Sequence, residues 1–420
     1  MNETLLHDLN EDNIFGKPEG SITAHILLYL FQILAFVSSN FPGRRYLFTG
    51  ILLALFIESQ RNLHFTNNLG LAQPFCIQWS FLLASLEKLI LSGKEGPEAH
   101  FWRPDHGIQE ALQYPPFGFA KIGWAVMLLL NQRGVGWNHQ VKNVPVAPET
   151  TKSAFLKTRI WQLFKSFLMA DLLFQLGIRI FYTNYATGLV GNLDTKHITL
   201  AYKNPLWNPV ALFVFAATPY FALTAQYTLF SILSVLIGFG SPQDWPPMFN
   251  PIGTATTVRS FWGKYWHQVV RRGISTWSTT LVRACSVAQG TSASSYMQLW
   301  FGFLVSGYFH STSHLILPAP INVTVYERTH GIFVFFVIQA AAITFEDFVK
   351  WLWSKKLRMG EEETRWRRTL GYLWVTGVLF WSVKYPALAY MRTRVGIESP
   401  FPVSVMKEWV KLIPVPAPEF

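Results

Sequence analysis

The chain has 420 residues, half of them hydrophobic, and only 14% are charged, whereas soluble domains carry about 25% charged residues. This composition argues against an ordinary soluble domain and predicts a polytopic membrane protein. The formal net charge of +11 would point to nucleic acid in a soluble protein. In a membrane protein it is typical of lysines and arginines gathered in cytoplasmic loops, so we expect no nucleic-acid partner. The two cysteines, Cys76 and Cys285, predict neither a disulfide framework nor a cysteine metal site.

The N-terminal tail, residues 1–20, is polar and acidic, unlike a secretory signal, which starts with positive charge. The rest predicts an all-α membrane protein with about eight transmembrane helices, since a helix needs about 20 apolar residues to cross a bilayer. The predicted spans are 21–39, 46–59, 70–92, 158–181, 208–239, 296–317, 331–353 and 370–391. Residues 122–130 are too short to cross and are expected to lie in the interface or to re-enter. We take residues 21–395 as one transmembrane domain and residues 396–420 as a C-terminal tail.

Basic loops set the predicted orientation of the spans. Arg44 and Arg45 mark the first loop as cytoplasmic, and basic residues also precede the sixth and last spans. Before the sixth span these are Lys264, Arg271, Arg272 and Arg283. Before the last span they are Lys355, Lys356, Arg358, Arg365, Arg367 and Arg368. The loop at 318–330 is then lumenal, where its acceptor sequon at Asn322 would be usable. This parity requires 208–239 to cross once, with a tilt or a kink at Pro219; two short passes are the alternative.

The sixth span contains two histidines, His310 and His314, which are four residues apart and therefore share a helical face. Ser306 and Gly307 are small and would let a helix or a substrate approach closely. Three interpretations are open: histidines satisfied by hydrogen bonds and packing, a zinc site, or catalysis by a buried neutral imidazole. No glutamate follows the first histidine, as a metalloprotease motif would require, and no third ligand is evident. We therefore predict no metal.

Residues 259–273 form the most informative stretch, with the sequence Arg-Ser-Phe-Trp-Gly-Lys-Tyr-Trp-His-Gln at its start. The simplest interpretation is an amphipathic helix in the membrane interface, with an aromatic belt and snorkelling cations. That helix would explain neither Gly263, which costs about 1 kcal/mol relative to alanine, nor His267. A catalytic or binding role is the alternative.

Four stretches of the chain, taken in order, resemble the fungal wax-synthase-like branch of the membrane-bound O-acyltransferases. They are 133–145 (Arg-Gly-Val-Gly-Trp-Asn-His-Gln-Val-Lys-Asn-Val-Pro), 241–247 (Ser-Pro-Gln-Asp-Trp-Pro-Pro), 260–267 (Ser-Phe-Trp-Gly-Lys-Tyr-Trp-His) and 306–310 (Ser-Gly-Tyr-Phe-His). The third is the most specific. The resemblance implies a multi-helix fold that encloses a reaction chamber, with its motif core in residues 238–353. It also implies transfer of an acyl group from coenzyme A to a hydroxyl.

The resemblance also assigns roles to residues. The catalytic histidine of the family falls on His310, and its upstream polar partner falls on His267. His310 would take the proton of the alcohol, and His267 or the Trp266 indole would donate a hydrogen bond to the oxyanion. Further candidate contacts to substrate or acyl-coenzyme A are Trp262, Trp266, Lys264, Arg271, Arg272, Ser306 and His314. Asp171, in the fourth span, is more simply explained as a structural residue.

The resemblance implies acyl-coenzyme A, with acetyl as the expected acyl group, as co-substrate, and no bound cofactor. The expected acceptor is a lipophilic alcohol, because fungal members of this branch often acetylate terpenoid or meroterpenoid alcohols. We expect a multi-pass protein of the endoplasmic reticulum; the sequence gives no oligomeric state. The alternatives are a wax ester synthase, a membrane transporter and a membrane terpene cyclase. A transporter would more often show internal repeats, and a cyclase would favour buried carboxylates.

Overall fold

The computed structural model describes residues 14–191, 195–356 and 364–419 of the chain. Residues 1–13 of the predicted N-terminal tail, and Arg358 of the basic loop before the last span, lie outside the described residues. Within the described ranges the regular structure is helical, apart from isolated bridges that join Thr183 to Val190 and Tyr202 to Pro418. The predicted all-α class is confirmed.

The longer helices of the described ranges each have at least 12 residues. They are α1 (Thr23–Val37), α2 (Arg44–Arg61), α3 (Gln78–Leu91), α4 (Phe119–Leu130), α5 (Lys152–Gly177), α6 (Trp207–Leu236), α7 (Arg271–Ala284), α8 (Ser292–Ser313), α9 (Val325–Trp351) and α10 (Arg365–Arg392).

Every predicted span falls on one of these helices, but they differ in length and hydropathy. Three helical stretches of the described residues are long and apolar enough to cross a membrane: Leu69–Leu91, Trp207–Leu236 and Val325–Ser354. The count of eight spans therefore stays a prediction. The stretch predicted to cross once, 208–239, is one continuous helix with Pro219 inside it.

Among the described residues the long helices pack around three apolar cores, and a fourth, smaller cluster joins Ala72 to Ile316 and Leu317. The first group combines α1 to α4, the second combines α5 and α6 with the end of α10, and the third combines residues 255–266 with α9 and α10. In the third core Val258 and Phe261 pack against Ile343 and Val375. This core holds the tryptophan-rich segment against two long helices, and so it positions the residues described below.

The first group also buries an ion-pair network. Glu98 Oε1 accepts from Arg44 Nη1 at 2.8 Å and from Lys121 Nζ at 2.7 Å. All three side chains are buried. Each charge has a close partner, which is the condition under which buried ions are tolerated.

Residues 396–420, described above as a C-terminal tail, contact α5 and the turn that follows it. Asp171, which is fully buried, accepts hydrogen bonds from the backbone N–H groups of Val405 at 2.7 Å and Met406 at 2.9 Å. Arg179 Nε donates to the carbonyl of Ile413 at 2.8 Å. The Asp171 carboxylate, in the apolar helix α5, therefore binds the C-terminal segment.

Asp171→Ala should destabilise the protein by about 1–3 kcal/mol, because it removes the charged acceptor of the two backbone hydrogen bonds that hold the C-terminal segment. Thermal unfolding in detergent should show the loss, together with faster proteolysis after residue 396. Asp171→Asn keeps one acceptor oxygen and should lose less. Asp105→Ala, at an exposed position, is the control and should unfold like the parent protein.

Candidate active site

The helix considered for residues 259–273 is not continuous, and this interpretation is wrong. A short helix at Val258–Ser260 runs into a π-helical turn at Phe261–Tyr265, and the backbone is extended at Trp266 before α7 begins. The reason is competition for carbonyl groups. The Gln268 side chain donates to the carbonyls of Trp262 and Trp266, and Arg271 donates to that of Gly263. Carbonyls that are bonded to side chains do not propagate the helix.

Glu346 holds the start of this segment. Its carboxylate lies on α9 in the third core, accepts from the backbone N–H groups of Val258 and Arg259, and also accepts from Trp374 Nε1 at 2.8 Å. A carboxylate at a helix N-terminus satisfies N–H groups that have no intrahelical partner. This buried acid thus pins the π-helical turn to α9 and α10.

Two loops that carried the resemblance converge on the same turn. Asn143 Nδ2 donates to the carbonyl of Gly263 at 3.0 Å, and Asn250 Nδ2 donates to the carbonyl of Lys264 at 2.9 Å. Arg133 donates to the carbonyl of Pro247 at 2.9 Å and to the hydroxyl of Tyr227 at 2.7 Å. Stretches more than one hundred residues apart in the chain are therefore neighbours in space.

His310 lies on α8 with its ring between two aromatic side chains. Its centroid is 5.1 Å from that of Trp79 on α3 and 4.8 Å from that of Phe336 on α9. Nδ1 is 2.8 Å from the carbonyl oxygen of Ser306, and since a carbonyl only accepts, Nδ1 carries the proton. For Nε2 no hydrogen bond to any described residue is found, so a neutral ring offers its lone pair there.

Gly307 lets α8 approach α9 closely beside this histidine. A Cβ added at Gly307 would lie 3.0 Å from Phe336 Cβ and 3.2 Å from the Phe333 ring. Such contacts are tighter than ordinary packing allows. The glycine therefore sets the helix spacing that brings Phe336 onto the imidazole of His310.

Aromatic rings connect His310 to the π-helical turn. The ring centroid of Trp262 is 6.3 Å from that of Phe336 and 6.0 Å from that of Trp266. The orientation of Trp262 is fixed because its Nε1 donates to Gln339 Oε1 at 3.1 Å. The indole N–H of Trp262 is therefore not available to a substrate, and the ring contributes an apolar surface.

His267 follows directly after Trp266 and has a buried Nδ1 without a hydrogen-bond partner among the described residues. Burial, together with positive charge on His310 and on Arg133, lowers the pKa of His267 to about 3. The ring is therefore neutral at physiological pH. A series of ring contacts runs from His267 through Trp266, Trp262 and Phe336 to His310.

His314, four residues from His310, has a different environment. It is 1% exposed. Its Nδ1 is 3.0 Å from the carbonyl oxygen of Arg328, and its Nε2 is 3.2 Å from Thr393 Oγ1. With both nitrogens engaged, this residue ties α8 to α9 and α10. We therefore explain His314 as a packing residue. Its ring has no free lone pair for the predicted substrate contact or for a zinc ion.

The three cations predicted to contact the substrate or acyl-coenzyme A have different environments. Lys264 is exposed. Arg271 bonds the carbonyl of Gly263 and Gln268 Oε1, so it shapes the turn. Arg272 Nη2 forms an ion pair with Glu87 Oε1 at 2.7 Å, well inside the helical bundle. Ser306 is buried and contributes its carbonyl to His310.

Sequence reasoning missed four residues that shape this site: Arg133, Glu346, Gln339 and Trp79. Glu346 and Gln339 lie in the predicted span 331–353, and a polar residue within an apolar span is itself a signal. Arg133 lies in a stretch that carried the resemblance, but its partners come from residues 227–247. Trp79 has no local sequence signal, because its role depends on packing between α3 and α8.

Gly307→Ala should lower the stability of the protein, because the added methyl group forces α8 away from α9. Gly377→Ala is the matched helical control: a Cβ there meets nothing within 4 Å, so a gain of up to about 1 kcal/mol is expected from helix propensity. Thermal unfolding in detergent would compare the two variants. Equal midpoints would contradict the close-packing argument.

Lowering the pH from 7 to 5 should destabilise the protein through its buried neutral histidines. Burial lowers the pKa of His139 to about 2 and that of His267 to about 3, whereas an unfolded chain titrates near 6.5. Below about pH 6.5 the unfolded state therefore binds more protons, and stability falls. Unfolding midpoints against pH should show this slope, which His139→Asn should flatten.

Comparison with known proteins identifies two matching regions. Residues 245–338 match the membrane bound O-acyl transferase family, and this range contains both His267 and His310. Residues 151–236, which contain all of α5 and α6, match the C-terminal domain of aspirochlorine biosynthesis protein F.

Similar full-length proteins come from fungi. The chain is 43% identical over 225 residues to aspirochlorine biosynthesis protein F of Aspergillus oryzae, covering 53% of this chain and 87% of that protein. It is 30% identical to acetyltransferase ple2 of Rhodocybe pseudopiperita, covering 62% of this chain and 64% of that protein. It is 29% identical to acetyltransferase sirH of Emericella nidulans, covering 61% and 56%. The matched part spans less than two thirds of either acetyltransferase. The chain belongs to the membrane bound O-acyl transferase family, in the branch of these fungal acetyltransferases.

Proposed function

We propose that this protein transfers an acetyl group from acetyl-coenzyme A to a hydroxyl of a lipophilic secondary metabolite, such as a terpenoid or meroterpenoid. The observation that carries the proposal is the state of His310. Its Nδ1–H is bound to the carbonyl of Ser306, and its Nε2 has no described partner. A ring fixed in this way presents a lone pair at one defined atom, as a general base requires.

The reaction needs a base more than it needs a nucleophilic residue, because a thioester is already activated while an alcohol is a weak nucleophile. His310 Nε2 takes the hydroxyl proton as the alcohol oxygen attacks the thioester carbonyl. The tetrahedral intermediate then collapses, the carbon–sulfur bond breaks, and the leaving thiolate takes the proton back from Nε2. Ester and free thiol are formed, and the imidazole returns to its starting state.

Negative charge that develops on the carbonyl oxygen needs a hydrogen-bond donor. His267 fits this role, since a neutral imidazole carries one N–H and the low pKa of His267 keeps it neutral beside a protonated His310. The Trp266 indole is a second candidate donor. Loss of one such donor typically costs about 10²–10³ in rate.

The surroundings favour lipophilic acceptors. Rings from Trp79 and Phe336 flank the proposed base, and Trp262 packs against Phe336. Apolar surroundings of this kind strengthen electrostatic interactions in the site. The names of two relatives, acetyltransferases ple2 and sirH, support acetyl as the transferred group. In this proposal the chain is a multi-pass protein of the endoplasmic reticulum with about eight spans, and it takes acetyl-coenzyme A from the cytosol.

His310→Ala should reduce acyl transfer by about 10²–10⁴-fold, the usual contribution of a general base. Membranes carrying equal amounts of each variant would be incubated with radiolabelled acetyl-coenzyme A or palmitoyl-coenzyme A and a panel of alcohols. His330→Ala, an exposed histidine on α9, is the control and should stay active. Undiminished transfer by His310→Ala would refute the assignment, and a preference for palmitoyl-coenzyme A would favour the wax ester synthase alternative.

His267→Asn should retain more activity than His267→Leu, because asparagine keeps a hydrogen-bond donor and leucine does not. The turnover number separates the two variants best, since the oxyanion exists only in the transition state. Equal losses in both variants would argue that this ring serves packing alone.

A further inference from the structure

The loop between α6 and the π-helical turn has carbonyl groups that its own backbone does not satisfy. Residues 245–248 form neither helix nor strand, and Pro246 and Pro247 have no N–H group with which to build one. Pro246 is buried, and the residues on either side of it are half-buried. Carbonyls with little access to water need donors, and here side chains of other elements supply them.

Three side chains hold the carbonyls of residues 245–247, one carbonyl each. Taken in order along the loop, the donors are Arg159 at 2.9 Å, Tyr227 at 2.7 Å and Arg133 at 2.9 Å. Arg133 also donates to the hydroxyl of Tyr227 at 2.7 Å. A guanidinium presents several donors in a rigid fork, so one arginine fixes both the loop and the phenol beside it.

The two arginines are both buried but differ in their other partners. Arg159 also faces the carboxylate of Glu149 at 3.7 Å and donates to Gln162 at 2.7 Å. Among the described residues, Arg133 bonds only the carbonyls of residues 246–247 and the Tyr227 hydroxyl. The hydrogen bonds of the Arg133 side chain are therefore devoted to this loop and to the helix beside it.

The loop continues into Phe249, whose ring is 7% exposed. Its centroid is 4.6 Å from that of Tyr220, 5.0 Å from that of Trp266 and 6.1 Å from that of His267. Among the described residues, the ring contacts of His267 are those with Phe249 and with the adjacent Trp266. Phe249 thus provides the ring contact from outside the histidine's own segment, two residues beyond the carbonyl that Arg133 holds.

We propose that Arg133 is a positioning residue for His267, because it fixes the backbone of residues 246–247 and so sets Phe249 against the imidazole. The inference rests on the proposed function, in which His267 donates a hydrogen bond to the oxyanion. Such a donor must be aligned before the charge develops, and a displacement of about 1 Å costs up to about 10²-fold in rate. Burial is the main cause of the low pKa of His267, and positive charge on His310 and on Arg133 adds to it.

The test is a double-mutant cycle on the turnover number. Arg133→Gln should lower kcat about tenfold or more, because the donor is displaced, while KM for acetyl-coenzyme A should not change. In a His267→Leu background the same substitution should not lower kcat further, since the donor that it displaces is already absent. Equal losses in both backgrounds, or no loss in the parent background, would overturn the inference.

Two further substitutions at this loop keep the test decisive. Arg133→Lys keeps the charge and one donor but not the fork, so its kcat should lie between those of Arg133→Gln and the parent protein. Tyr227→Phe removes the hydroxyl that bonds both Arg133 and the carbonyl of Pro246. It should reproduce the loss of kcat should Arg133→Gln not fold, and an unchanged kcat in that variant would contradict the inference.

Arg44→Gln is the matched control. Arg44 is also buried and donates to a backbone carbonyl, that of Ala35 at 3.0 Å, but it lies in the first helix group. Losing this arginine should lower the stability of the protein, whereas kcat of the folded protein should equal that of the parent. A fall in kcat as large as that of Arg133→Gln would mean that any buried arginine has this effect.

Hydrogen exchange separates this inference from the proposed function, because it requires no substrate. In full-length protein in detergent, Arg133→Gln should speed the exchange of backbone amides in residues 248–267, and Arg44→Gln should not. Unchanged exchange in Arg133→Gln would overturn the inference. Faster exchange there, in a protein whose parent transfers no acyl group to any alcohol tested, would refute the proposed function and retain the coupling of Arg133 to His267.

Discussion

The arrangement depends on one buried carboxylate, Glu346, near the C-terminal end of the apolar helix α9. It accepts two backbone N–H groups from the start of the 258–260 helix and the indole N–H of Trp374. Three donors satisfy the acid, so its burial is tolerated. Because the π-helical turn begins at this point, the positions of Trp262, Trp266 and His267 all follow from it. Such a constraint explains how an irregular segment holds a fixed geometry beside three long helices.

Apolar length is a local property of the sequence, so hydropathy predicts the helices on which the eight spans fall. It does not predict α7, which is rich in polar residues. The single continuous helix at Trp207–Leu236 followed from charge parity alone. The turn at Phe261–Tyr265 could not be predicted, since the side chains of Gln268 and Arg271 take its carbonyls and their reach depends on the fold. The local pattern of tryptophans and cations fits an interfacial helix equally well.

Ionisable groups in the apolar helices differ in how completely their atoms are bonded. Asp171 holds the C-terminal segment, and Glu346 holds the π-helical turn. Asp171 and His310 were named from the sequence, whereas Glu346 was missed. An unbonded atom alone does not distinguish His310, because Asp171 Oδ1 is also buried without a partner among the described residues. His310 differs in that its unbonded nitrogen belongs to a ring that lies between two aromatic side chains.

His310 on α8 and His314, which directly follows that helix, differ in the same way. His310 and His314 share a helical face, and the sequence treats them alike. Thr393 on α10 and the Arg328 carbonyl on α9 occupy both nitrogens of His314, and these partners come from elements that no local pattern places there. His310 keeps one nitrogen free. In the proposed mechanism His310 carries the proton. His267, whose pKa is lowered by burial and by the positive charge of its neighbours, stays neutral and donates its single N–H to the developing negative charge.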